Sequence, residues 1–587
     1  MKKLFFFCYC ILFTFIINAQ PKYFEKDIAW GMTHSGRKII LLNDDTYVIA
    51  GNYRNIGETK WKAYVLNINQ VGDTIWRQNY ELPTGHLKCF DFLLSNNYIY
   101  LTGEAAYNID ESNYDAFIMK LSIQGDSLSY YTTNTVSQKS YANAIIATDN
   151  NSLILAGAID INTHRELYAT KIAADGTILW QYIDTTYTRT NYFTDILPDG
   201  TGGYYLYGSV NQYAYGLVAT GDLLLLHLNA NGQMIDQHTY SIGETDYSGY
   251  LIRSNDGNLL LGMAHGGEDN FVHGKALKIN PNNHQIIWQS PILYIDDAVN
   301  TLIELPDGSI ITTGTTRYPT TNSPGQMSLV KITADGDPMW SRQYGGQWND
   351  YGYDVALSPD GGFVAVGRKD SAVVQTAFLY IVKTNCMGLL TEPQANFTYT
   401  STALTASFQN LSQFVYPDSI DGGHYIWDFG DGTTSTQINP THTYTQGANY
   451  TVTLTAVVCS DTSVFVQNVS TWAVGIEASP LPPPKEGEMQ VLPLEGGLEG
   501  GLYTVLPNPA QDYLVISSQT SATNATFVLY DVLGREQLRQ NLSSPSFGGD
   551  KEEAIIATEH LPSGIYLYQI INPQNQTLQH GKLSILH

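Results

Sequence analysis

The sequence predicts an all-β protein built from serial units, and three observations carry that prediction. A glycine recurs at an even interval: Gly51, Gly103, Gly157, Gly208, Gly262, Gly314 and Gly367 are separated by 52, 54, 51, 54, 52 and 53 residues. Most copies follow a polar turn and a short alternating or β-branched run, as in LPDGSIITTG and TDNNSLILAG, which is strand chemistry entered through a tight turn. No long window carries the 3.6-residue period of an amphipathic helix.

Residues 1–19 stand outside this pattern. Lys2 and Lys3 precede the apolar run Leu4–Ile17, and Ala19 offers a small residue before a cut at Gln20, the layout of a signal peptide. The run is shorter than the ~20 residues a membrane span needs. The expectation is export across the inner membrane and a mature chain with no transmembrane segment. Thirty Lys and Arg against 55 Asp and Glu leave a formal charge of -25, which excludes nucleic acid as a partner because that affinity rests on cationic contacts to phosphate. Beyond the leader remain Cys89, Cys386 and Cys459, neither a disulfide framework nor a paired metal motif. They read as small buried hydrophobes, with one disulfide among them as the alternative.

Residues 20–388 hold the repeat. The stretch DGGFVAVG (360–367) has the glycines of a phosphate-cradling loop, but its relatives at the same interval make it a hairpin turn. A second phrase recurs in KIAADGTILWQY, KITADGDPMWSRQY and LNINQVGDTIWRQNY, placing Trp180, Trp340 and Trp76 after a D-G or G-D turn, and KINPNNHQIIWQ adds Trp288. The second and fourth units keep the turn without a Trp. Each unit of about 50 residues thus holds four strands, the content of a propeller blade. A stacked β-solenoid is the rival, with repeats that are usually shorter. The seventh unit lacks its last strand, and YFEKDIAWG (23–31) near the start supplies a spare one with a Trp. Joining them would close a seven-bladed β-propeller and remove an exposed edge.

The D-G-x-x-x-W phrase resembles the Asp box of sialidases and the Trp-docking repeat of quinoprotein dehydrogenases. In both families the motif supports packing, so Asp175, Asp335 and the Trp residues are read as structural. Arg253, Arg317, Arg342 and Arg368 fall in the later units, but nothing local marks a carboxylate-binding cluster. His265, His273 and His284 have no metal-site spacing. No G-x-S-x-G elbow or H-E-x-x-H pair occurs, and no catalytic residue is assigned.

Residues 393–470 carry YIWDFGDG, then P-T-H-T-Y, then G-x-x-Y-x-V-x-L. This resembles the PKD domain, which implies an immunoglobulin-like β-sandwich. Trp427 and Phe429 alternate onto a core face while Asp428 and Asp431 face the turn. Two carboxylates suit Ca²⁺ but are too few for a complete site, and Asp also caps its own turn. The expectation is no cofactor, with Asp428 and Asp431 as candidate calcium ligands. Residues 471–502 are a Pro- and Gly-rich linker.

Residues 503–587 carry four landmarks in order: Pro507-Asn508-Pro509, Asp531 with Gly534, Leu561-Pro562-Ser563-Gly564 with Tyr566, and Gly581-Lys582-Leu583. This resembles the type A C-terminal sorting domain of type IX secretion, with Leu506 where that family often has Tyr. The resemblance implies a β-sandwich tail, a source in the Bacteroidetes, delivery by the type IX machinery, and tail removal by its sortase. The product would be anchored on the outer cell surface or released. The reading of the whole is a surface or secreted binding and adhesion protein for glycan or protein. The alternatives are a polysaccharide- or peptide-degrading enzyme with its site in the propeller channel, or a structural surface component.

Overall fold

The computed structural model describes residues 22–471, short loop stretches excepted, and the strand-bearing parts of 503–585. Every regular element among the described residues is a β-strand. The chain divides into two compact units, the first Met1–Ser401 with Thr405–Thr471 and the second Trp472–His587 with Thr402–Leu404.

In the first unit, strands from Phe24 to Thr384 form antiparallel sheets of four in chain order. Five are separate: 86–132, 139–184, 190–240, 246–289 and 301–344. The groups 33–80 and 350–384 share one eight-stranded sheet through a single parallel pair, Thr33 with Ala377. The final group contributes only three consecutive strands, and Phe24–Ile28 completes it antiparallel to Ala377–Thr384. The expected pairing of the first strand with the last group is present. The expected use of its Trp is not: Trp30 lies beyond the strand, packed against His34 and Tyr64 with Arg77 over its ring.

The recurring glycines have a common cause. The leading strand of most groups carries a β-bulge, as between Gly36 and Lys38 or Gly352 and Asp354. The bulge presses a carbonyl onto the second strand, where a side chain cannot fit. A Cβ at Gly51, Gly103, Gly157, Gly208 or Gly367 would lie 1.9, 2.0, 2.1, 2.4 or 1.7 Å from the oxygen of Ser35, Lys88, Tyr141, Tyr192 or Tyr351. Bulges of this kind re-aim the following side chains.

The turn-and-Trp phrase interlocks neighbouring groups. Each Trp packs on the turn glycine of the next group: Trp76 on Gly125, Trp180 on Gly232, Trp288 on Gly336 and Trp340 on Gly388. Gly232 also has φ +76°, which L side chains avoid. Groups two and four use other rings, Tyr131 against Gly176 and His238 stacked on His284 at 5.0 Å. Phe24 sits on Gly72 in the same way, so the strand that completes the last group also packs on the first.

Residues Phe397–Thr471 form a three-stranded and a four-stranded sheet, an immunoglobulin-like β-sandwich. Phe397, Phe408, Trp427, Phe429 and Tyr444 meet in one buried core. This sandwich is tied to the strand array covalently. Cys386 and Cys459 form a disulfide across 73 residues, which corrects the reading of both as lone buried hydrophobes; Cys89 is the buried free thiol. Beside it Asp461 takes contacts from Lys22 and Tyr23, and Ser460 donates to the Asp360 carbonyl at 2.5 Å.

In the second unit the strands Tyr503–Leu506, Tyr513–Ser518 and Glu553–Ala557 form one sheet, and Thr526–Asp531, Glu536–Asn541, Gly564–Ile571 and Thr577–Ile585 another. Leu514, Ile516, Phe527, Leu529 and Leu583 from both sheets share a core. The sequence alternation put these residues on one face of each strand. Among the described residues no helix is long and apolar enough to cross a membrane.

Candidate binding site along the leading strands

Consecutive leading strands pack against one another from the group at 33–80 onward, and the leading strand of the last group, Asp350–Leu357, packs against that of the first, Thr33–Leu41. Side chains near each bulge stitch these neighbours. Asp91 accepts from the Ile145 amide at 2.9 Å, Asp195 from Leu251 at 2.7 Å, and Asp354 from Ile39 at 2.9 Å. Asn143 donates to the Phe193 carbonyl at 2.8 Å and Asn300 to that of Gly352 at 2.9 Å. Asn52 exchanges two hydrogen bonds with the backbone of Cys89. A buried backbone group left without a partner costs about 1–3 kcal/mol, so each stitch is a structural contribution in its own right.

Counted from the bulges, the same strands present two levels of side chains, the first partly exposed and the second largely buried. One level holds Tyr141, Tyr192, Tyr247 and Tyr351 at equivalent positions, with Lys88 in the second group. Arg165 lies over Tyr141 at 5.0 Å and Arg368 over Tyr351 at 5.8 Å. Phe90, Arg37 and Tyr353 follow at the bulges. Arg37 lies over the Tyr353 ring at 4.7 Å, and Tyr353 stacks with Tyr351.

The next level is ionic. Lys38 contacts Asp91 at 2.5 Å, with Tyr250 and Asp354 close enough to act on its charge. Burial disfavours the Lys38 ammonium, but Asp91, Tyr250 and Asp354 together outweigh it and hold its pKa above the usual lysine value. Burial pushes Asp195 up to about 7 against the hydrogen bonds from Leu251 and Ile196, and Asp354 up to about 6 against Lys38 and the Ile39 amide. A carboxyl raised by folding contributes stability that is full below the unfolded pKa near 4 and is lost as pH rises through the folded value. Asp195→Asn is therefore expected to flatten the pH dependence of thermal stability between about 4 and 7, by up to ~1.4 kcal/mol per pH unit. Midpoints of both proteins recorded across that range check it, and parallel curves would refute it.

Of the residues singled out from sequence, Arg368 lies over Tyr351 and Arg317 acts on the same ring; the others fall elsewhere. Asp175 accepts from Thr177 at 2.9 Å and serves its turn. Arg253 is held by the carbonyls of Pro198 and Asp199, Arg342 lies on Trp340, and Arg368 pairs with Asp370. His265 and His273 are cross-strand partners, whereas His284 stacks on His238. Asp428 accepts from Gly430 at 2.9 Å. Asp431 accepts from the Thr433 amide and hydroxyl and meets His442 at 2.7 Å. Burial raises the Asp431 pKa, but these bonds outweigh it and the net direction is down. Among the described residues no three His, Cys, Asp or Glu side chains are gathered as a metal site.

In the tail, Gly564 opens a strand, and Tyr566 is buried and donates to the Pro562 carbonyl at 2.8 Å. Gly581 and Lys582 lie on the last strand, opposite Tyr568 and Leu567. Pro507, Asn508, Pro509 and Gly534 lie outside the described residues.

Sequence reasoning missed these two levels. A signal existed: Lys38, Asp91, Ala144, Asp195, Thr301 and Asp354 precede their marker glycines by 13, 12, 13, 13, 13 and 13 residues.

Family models match two segments, the PKD domain at 391–471 and the secretion system C-terminal sorting domain at 504–583. The second match decides the destination. This chain is exported by type IX secretion. The sorting domain directs it to secretion or attachment at the cell surface and implies handling by that machinery. Collagenase ColA of Bacillus cereus is 38% identical over 80 residues, 14% of this chain and 8% of that protein. Pre-pro-metalloprotease PrtV of Vibrio cholerae is 32% identical over 140 residues, 22% of this chain and 15% of the other. The crystal structure of the PrtV PKD1 domain matches at 33% identity over 14% of this chain and 100% of that one, with TM-score 0.12. The chain thus spans under a sixth of the curated relatives' length.

Proposed function

We propose that residues 20–388 form a seven-bladed β-propeller and that the exported protein binds glycan or protein at one axial mouth of that ring, with the PKD domain as a second contact module. Three features support the ring. The Asp354 stitch to Ile39 repeats between the last group and the first what Asp91 and Asp195 do between successive groups. Phe24 repeats the Trp interlock there, and the leading strands of those two groups touch.

The observation that carries the binding reading is the level of partly exposed tyrosines flanked by arginines. Tyrosine rings offer rigid apolar faces with a polar tip, suited to sugars and to protein surfaces. The test is a screen of the full-length chain against polysaccharides and glycoproteins, with every ligand re-examined for cleavage products. Binding without products is the expected result; absence of binding to any of them refutes it. Adding or chelating Ca²⁺ tests Asp428 and Asp431 as cation ligands.

A second reading, a degradative enzyme, is favoured by one observation: Asp195 and Asp354 are held near neutrality at the level of Lys38, as general acids and bases are. Their hydrogen bonds to neighbouring strands support the structural role more strongly. The similarity of part of the chain to a collagenase and a metalloprotease fits either reading. Delivery is proposed to depend wholly on the tail, so a chain ending at residue 502 should remain inside the cell.

A further inference from the structure

We infer that Arg37, with Tyr351 and Tyr353 beside it, is an anion subsite of the tyrosine-lined mouth, taking the carboxylate or sulfate group of an acidic polysaccharide. This rests on the binding reading above and names its ligand class. Two independent observations meet at Arg37. Its position is the first: it follows Gly36 at the bulge of the first group's leading strand and is partly exposed there, its guanidinium 4.7 Å from the centre of the Tyr353 ring.

The second is its lack of a partner. Arg37 forms no ion pair with any described carboxylate, and its Nε is buried without a hydrogen bond. The neighbouring cations differ: Arg165 is paired with Asp160, Arg368 with Asp370, Lys88 with Glu104 and Lys38 with Asp91. Arg54 and Arg342 also carry a buried Nε without a hydrogen bond, but they lie on the strands Tyr47–Arg54 and Pro338–Tyr344, so Arg37 is the one of the three on a leading strand. Desolvating guanidinium donors without an acceptor is costly, and the fork geometry of the group matches a carboxylate or sulfate through two parallel hydrogen bonds. Tyr351 and Tyr353, stacked with rings 6.2 Å apart and nearly parallel, present the face on which a sugar ring can lie beside that anion.

The net negative charge sharpens the expectation. Surface charge repels a polyanion at long range but is screened beyond about 8 Å at physiological salt. Recognition must then come from the local contact, and a uronate or a sulfate ligand should beat a neutral chain of equal length.

The test uses calorimetry of the full-length chain against polygalacturonate, chondroitin sulfate and dextran at 0.15 M salt. The expected result is binding of one or both acidic polymers and at least tenfold weaker binding of dextran. The first arm separates carboxylate from sulfate as the preferred group. Arg37→Gln should weaken the acidic polymer at least tenfold with an unchanged thermal midpoint. Arg37→Lys, which keeps charge but loses the fork and preserves the fold if Gln does not, should fall between the two. Equal affinity for dextran, or an Arg37→Gln chain that binds the acidic polymer as well as the parent, overturns the subsite and leaves the binding reading standing. No binding of any of the three polymers overturns the subsite; the binding reading falls only if the wider screen with glycoproteins is also negative.

Discussion

Replacing Cys386 and Cys459 by Ser is expected to lower the stability of the PKD sandwich and its joint with the strand array by about 4 kcal/mol, from the chain-entropy cost of a 73-residue loop. The disulfide sits where the last array strand hands over to the sandwich, at the turn between the two longest PKD strands. Its neighbours there are Lys22 and Tyr23 on the Asp461 carboxylate and Ser460 on the Asp360 carbonyl, bonds of about 1–3 kcal/mol each, with Met387 buried in the sandwich core. Calorimetry should show the PKD transition moving down and separating from that of the array, both in the double variant and in the parent under reductant. Coincident transitions in the two proteins would refute the clamp. An exported chain meets the oxidising conditions in which such a bond forms.

The second large effect concerns Gly157. An alanine Cβ there would stand 2.1 Å from the Tyr141 carbonyl and 2.8 Å from the Ala142 Cα, both backbone atoms that cannot swing aside. Gly157→Ala should destabilise by 3 kcal/mol or more, at the upper end of overpacking costs. It should also move Tyr141 and Asn143, the latter being the stitch to Phe193. Gly361→Ala is the control: its Cβ meets nothing within 4 Å, and its cost is only that of the positive φ of 83°, about 1 kcal/mol. Denaturant midpoints of the two variants decide it, and equal losses would show that crowding at Gly157 is not the cause.

What could be read from the sequence follows from where information is local. The marker glycines were legible because one steric fact, a bulge carbonyl against the second strand, recurs in most groups and tolerates no substitute. The turn-and-Trp phrase was legible for the same reason. Its variants were not, since Tyr131 and the His238–His284 stack fill the same space with different rings. The PKD turn was legible down to its side-chain directions: Trp427 and Phe429 are buried, and Asp428 and Asp431 cap the turn.

The two levels were illegible because they assemble one residue per group from strands some 50 positions apart. Their identities are free to differ: Lys38, Asp91, Ala144, Asp195, Tyr250, Thr301 and Asp354 share a place and not a type. The Cys386–Cys459 pairing was hidden likewise, since spacing alone does not say which of three thiols meet. Trp30 misled because an aromatic near the right strand was taken for the one in the packing position, which is Phe24.

The pairing of Phe24–Ile28 with Ala377–Thr384 has a consequence in time. The segment that leaves the ribosome first is needed last, since the strand it completes is made some 350 residues later. Such pairing is slow, because a long loop must close before the contact rewards it. Until then the final group keeps an open edge, able to pair with another chain. An export route that carries the polypeptide through one membrane unfolded would turn this delay to use: the array could finish only after its two ends had arrived in the same compartment.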